Sequence, residues 1–214
     1  MMNKGKVYFA AFKGRSLSSR LIKWFTRSRY SHIAYLDIDT LEKIYKITAT
    51  PSVDTSFKEL DVFTIKANEK ILVEAWSDSY GFKDTINSYV DSRSLDQHKI
   101  FTHVDIYELE VDDAESIHHQ HMYHVANKTK YNWLGILSFL TKKDHIFENK
   151  KFCSELHWDI LSKQKDLKSL TQDIPGCRIS PSMFVYMLVA HGAKLKYGCY
   201  AKDNGTVTFA KTNT

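Results

Sequence analysis

Within "KKFCSELHWDIL", residues 150 to 161, a cysteine stands where a helix should begin. Cys153 follows the aromatic Phe152 and precedes Ser154 and Glu155, and Leu156, Ile160 and Leu161 then share one helical face. A cysteine attacks as its thiolate, and a free thiol at neutral pH is mostly protonated. Two devices lower its pKa: the positive end of a helix dipole and a neighbouring imidazole. The position supplies the first. Without the second, a cysteine here is a small buried hydrophobe.

Ten histidines are available. His32, in "RSRYSHIAYL", opens a strand-like run. A strand holds its side chains rigidly, which suits a general base that must stay within hydrogen-bond reach of a nucleophile. Such a base needs an acceptor on its other nitrogen. Glu74, in "ILVEAW", sits among apolar neighbours where a carboxylate is costly unless paired. Asp37 and Glu42 are the alternative acceptors. His118, His119, His121 and His124 crowd one helical stretch. His121, His124 and Glu115 could ligate a metal, but no nearby cysteine or HExxH pattern accompanies them, so a solvated helix face is expected there. His157, one turn past Cys153, is expected to pack rather than to act as base. No metal or cofactor is expected.

The elements that must position these residues are readable in outline. "KVYFAAFK", "SHIAYLDI", "EKIYKITAT", "KILVEAW" and "HKIFTHVDIYELEV" read as strands. "SLSSRLIKWFTRS" reads as a helix. So does "DDAESIHHQHMYHVANKT", with Asp112 or Asp113 as its cap. "YNWLGILSFL" fits a helix or a buried strand. "SPSMFVYMLVAHG" is a helix capped by Ser180, with Pro181 at its first position and Gly192 as its stop. A closing hairpin turns at "DNG". The pattern predicts a single α+β domain over residues 1–214, with no internal repeat.

The composition narrows the function classes. A chain of 214 residues with 43% hydrophobic content can bury a core. Net charge is +5, a mild basic bias without the concentrated lysine and arginine of a nucleic-acid binder. Cys153, Cys177 and Cys199 form no CxxC pair, so a disulfide framework is not expected, and Cys177 reads as structural or incidental. No signal peptide or membrane span is evident. A cytoplasmic location is expected, with release by lysis or carriage in a virus particle as alternatives.

The succession "YSHIAYL", "LVEAW", "YNWLGILSF", "KFCSEL" and "ISPSMF" resembles the permuted papain-fold hydrolases of the NlpC superfamily, in their YiiX-like branch. There the histidine strand precedes the cysteine helix, the reverse of ordinary papain order. The likeness spans residues 7 to 190 in islands. It implies a circularly permuted papain-like fold, an antiparallel sheet packed against helices that include the nucleophile helix. It implies Cys153 as nucleophile, His32 as general base and Glu74 as the residue that orients the imidazole. The segment of about 38–70 is longer than the family's hairpin and reads as an enlarged insertion.

The activity so implied is a cysteine hydrolase of amidase or peptidase type, acting on a peptide-like amide such as cell-wall peptide through a thioester acyl-enzyme. Two alternatives stand beside it. The same triad could process acyl lipids at a membrane surface, with "GRSLSSRLIKWFTRSR" as a basic amphipathic contact. The domain could instead be an inactive binding module, although a binding module needs neither His32 nor Cys153.

Overall fold

The computed structural model describes residues 5–15, 17–48, 60–76, 89–97, 101–132, 135, 139, 150–168, 174–203 and 205–212. The chain is mixed α+β. In order it forms β1 (Gly5–Gly14), α1 (Leu17–Thr26), β2 (His32–Leu36), α2 (Ile38–Thr48), β3 (Val62–Lys66), β4 (Lys70–Trp76) and β5 (Tyr89–Ser94). Then follow β6 (Phe101–Val111), α3 (Ala114–Ala126), β7 (Lys130–Tyr131), β8 (Lys150–Lys151), α4 (Cys153–Leu161), α5 (Pro181–Ala190), β9 (Lys194–Asp203) and β10 (Thr206–Lys211).

Among the described residues ten strands make one sheet in the order β3-β10-β9-β6-β1-β2-β4-β5-β7-β8. All neighbours are antiparallel except β7 and β8. A turn at residues 67–69 joins β3 to β4, although five strands lie between them in the sheet. The sheet therefore curls, and its inner face closes around Tyr8, Ala10, Phe12, Leu36, Phe63, Ile65, Leu72, Val104, Ile106 and Phe209. The opposite face carries Val7, Phe9, Ala11, Ile33, Tyr35, Val73 and Ala75, which pack against Leu156, Ile160 and Phe184 of the helices. Alternation along each strand sends successive side chains to these two cores. Each large apolar side chain buried there contributes about 1.5–3 kcal/mol relative to exposure.

Several local signals act as the sequence suggests. Asp113 caps α3 by accepting from the Ser116 N–H at 3.0 Å, and Ser180 caps α5 by accepting from Met183 at 3.2 Å. Gly192 (φ +90°) ends α5, and Gly205 (φ +82°) serves the hairpin between β9 and β10; both need the left-handed region that glycine adopts freely.

One segment differs. "EKIYKITAT" lies largely within helix α2 rather than a strand. Asp37 decides this: its carboxylate accepts from the Thr40 N–H at 3.2 Å and the Thr40 hydroxyl at 2.7 Å, capping the first turn. Ile38, Leu41 and Ile44 then pack at helical spacing against the inner core. The lengthened segment of about 38–70 thus supplies α2 and the sheet strand β3, while residues 49–59 lie outside the described residues. Most of "YNWLGILSFL" also lies outside them. Among the described residues no helix is long and apolar enough to cross a membrane.

Candidate active site

Serines and glycine set where β2 begins. Ser31 donates its N–H to the Phe12 carbonyl and accepts from the Gly14 N–H, both at 2.9 Å. A Cβ on Gly14 would crowd the Ser19 side chain and lie 2.8 Å from the Ser31 hydroxyl, so a larger residue would push these serines aside. Ser182, on α5, receives the Arg29 N–H at 2.7 Å and the Tyr30 N–H at 3.2 Å. The lead-in to His32 is therefore tied to both the sheet and a helix.

Tyr35 and Leu36 of β2 face Val73 and Leu72 of β4. By alternation His32, Ala34 and Leu36 share a face with Leu72, Glu74 and Trp76. His32 Nε2 lies 2.6 Å from Glu74 Oε2, and the Glu74 side chain has no solvent exposure. Trp76 meets the imidazole edge to face at 5.5 Å, and Phe12 stands on it at 5.7 Å. Two aromatic rings and a carboxylate thus fix the plane of the base.

Cys153 is the first residue of α4 and is 4% exposed. Phe152 before it is extended, and the Glu155 carboxylate reaches back to accept the Phe152 N–H at 3.1 Å, half of a capping box. The Cys153 sulfur lies against His32 and the backbone amides of Ile33 and Ser154, all of which favour its thiolate form. Since Glu74 engages Nε2, Nδ1 is the ring nitrogen that serves the thiol.

The charges follow from these contacts. Burial alone would raise the Cys153 pKa, but the His32 charge and hydrogen bond, with the two amides, bring it below the ordinary thiol range. Burial alone would lower the His32 pKa. The Cys153 thiolate and the Glu74 carboxylate overcome it and raise the imidazole to about 10. Each partner stabilises the charged form of the other, which favours a thiolate–imidazolium pair at neutral pH.

All three residues singled out in the sequence meet at one place. Asp37 and Glu42 are used elsewhere: Asp37 caps α2, and Glu42 lies on that helix. Cys177 is buried in a short turn, Gly176–Arg178, beside α4. His157 packs in the core as expected, but His121 does not lie on a solvated face. It is fully buried, because α3 lays it against Tyr35 and His157. Sequence reasoning also missed Tyr131, whose pKa is pushed up by burial and then by Cys153 and Glu155. Asn132 Nδ2 donates to Glu155 at 3.1 Å. Of this supporting shell, Glu155 alone carried a signal, an acidic residue in the first turn after the cysteine. Among the described residues no group of three or more His, Cys, Asp or Glu side chains is arranged to hold a metal ion. No family model, curated protein or solved structure matches this chain.

Proposed function

We propose that the chain is a cysteine hydrolase of permuted papain-like fold that cleaves a peptide-like amide, with cell-wall peptide as the substrate class. The observation that carries this reading is the convergence of a helix N-terminal thiol, an imidazole and a fully buried carboxylate bonded to that imidazole. Chain order supports it too: the histidine strand β2 precedes the cysteine helix α4.

The chemistry is that of a triad. The Cys153 thiolate attacks the acyl carbon, and the carbonyl π pair moves to oxygen. The Cys153 N–H at the start of α4 is the donor for that oxyanion. Collapse of the adduct breaks the C–N bond, His32 passes its proton to the departing amine, and a thioester remains. A water molecule then gives a proton to His32 as its oxygen attacks the thioester, releasing the acid and the thiolate. Glu74 stabilises the imidazolium before the amine leaves and again as water attacks, and it orients the neutral ring in between. An activated aryl ester tests the reading: mass spectrometry should find one acyl group on Cys153, removed with time in the native chain and slowly in His32→Ala. An unmodified Cys153 sinks it.

A second reading keeps the triad and moves the substrate to an acyl lipid at an anionic surface. Trp24 favours it, being 72% exposed on α1 between exposed Arg20 and Arg27. Tryptophan suits the water–hydrocarbon boundary and arginine the anionic headgroup. Anionic vesicles should sediment the chain, and Arg20→Glu with Arg27→Glu should abolish this; equal sedimentation with neutral vesicles excludes the reading. Lys23 is a poor probe, because its ammonium donates to the Gly14 carbonyl at 2.8 Å.

A further inference from the structure

His157 and His121 are both fully buried, and the triad chemistry uses neither. Three contacts run in line through them. His121 Nδ1 is 2.8 Å from the Ile117 carbonyl, His121 Nε2 is 2.9 Å from His157 Nδ1, and His157 Nε2 is 3.3 Å from the Ile33 carbonyl. Tyr35 stacks on His121 at 4.0 Å, and Phe9 meets His157 edge to face at 5.5 Å.

A neutral imidazole offers one N–H and one lone pair. Two neutral rings therefore bring two protons to three contacts, and one contact goes without a hydrogen bond. Burial lowers both pKa values, His157 to about 3, so the pair is neutral at pH 7. The titratable groups facing it are His32, Glu74, His118 and His124. A buried polar pair with one contact left without a hydrogen bond costs stability.

What it meets is Ile33. That residue follows His32 on β2 and sets its carbonyl 3.3 Å from His157 Nε2, while its amide is one of the groups that favour the Cys153 thiolate, so two α4 residues one helical turn apart meet the same strand residue. We propose that His157, backed by His121, is a positioning residue that holds Ile33 with its N–H against the Cys153 thiolate. The proposal rests on the reading of Cys153 as nucleophile.

The test is the pH dependence of Cys153 alkylation by iodoacetamide, followed by peptide mass spectrometry. His157→Phe and His121→Phe should raise the midpoint by about one pH unit, slowing the reaction about tenfold at pH values well below the native midpoint while the rate at pH 10 stays within about twofold. His157→Gln, whose amide can donate to Ile33, should keep the native midpoint. An unshifted midpoint in both phenylalanine variants overturns the proposal, whatever their melting temperatures, and leaves the pair as core packing. A second measurement needs no variant: alkylating Cys153 in the native chain should move the ¹⁵N signals of the His157 ring, and unmoved signals overturn the proposal as well. Failure of the nucleophile reading looks different, because His32→Ala would then leave the native midpoint in place.

Discussion

His32 and Glu74 stand on adjacent antiparallel strands with Nε2 and Oε2 2.6 Å apart, and the carboxylate is sealed from solvent. A buried carboxylate at that distance orients the ring and, with the Cys153 thiolate, balances its charge. Glu74→Gln keeps an acceptor but removes the charge. Turnover should fall on the order of 10²-fold, with the fold retained on circular dichroism. Full activity would show that the imidazole does not depend on this charge.

Glu155 gives a stability prediction with a definite sign. Burial raises its pKa from the ordinary 4.5 to about 7, with Lys151 and the Asn132 hydrogen bond opposing. The folded chain thus holds this proton more tightly than the unfolded chain. The resulting stabilisation is fully present below about pH 4.5 and is lost as pH rises through 7. Glu155→Gln removes that dependence while its oxygen still accepts from Phe152 and Asn132. Urea melts should show the variant gaining on the native chain between pH 5 and pH 8, by at most about 3 kcal/mol. A difference that does not change with pH contradicts this.

The Ser182 hydroxyl binds the segment leading to His32. It accepts from the Arg29 and Tyr30 N–H groups and lies 2.8 Å from the Ser28 hydroxyl. Ser182→Ala takes this acceptor from the Arg29 N–H and from the buried Tyr30 N–H, which costs about 1–3 kcal/mol. Chemical denaturation should register that loss, and Cys153 alkylation should slow with it as the start of β2 loosens. A change under about 0.5 kcal/mol would mean that this node does not support the site.

The site's principal residues were legible because their signals are local. A cysteine opening an amphipathic helix, a histidine opening a strand and a carboxylate in an apolar strand each announce themselves within a few residues. The same holds for the Ser180–Pro181 cap and the Gly205 turn. The losses came where the deciding contact is distant or hidden. Asp37 read as the end of the β2 strand, which concealed its role as the cap of α2. β5, "YVDSRS", lacks strand-like alternation and owes its form to pairing with β4. His121 looked like one of several surface histidines, because its partner His157 stands 36 residues further along the chain. The curl of the sheet was likewise unreadable, since β3 takes its partner from the chain's last strand.

The central claim is that Cys153 and His32 form a thiolate–imidazolium pair, and alkylation rate against pH tests it most directly. A small thiol electrophile at pH 6.5 should modify Cys153 at least about tenfold faster than Cys177 or Cys199, with a midpoint below that of an ordinary thiol. The sign follows from the shifts: a lowered thiol pKa keeps the reactive form as pH falls, and a raised imidazole keeps its proton until about pH 10. His32→Ala should move the midpoint up to or beyond the ordinary thiol range, since burial then acts on Cys153 without its counter-ion. Equal labelling of the three cysteines, with a profile that His32→Ala does not move, would contradict the account.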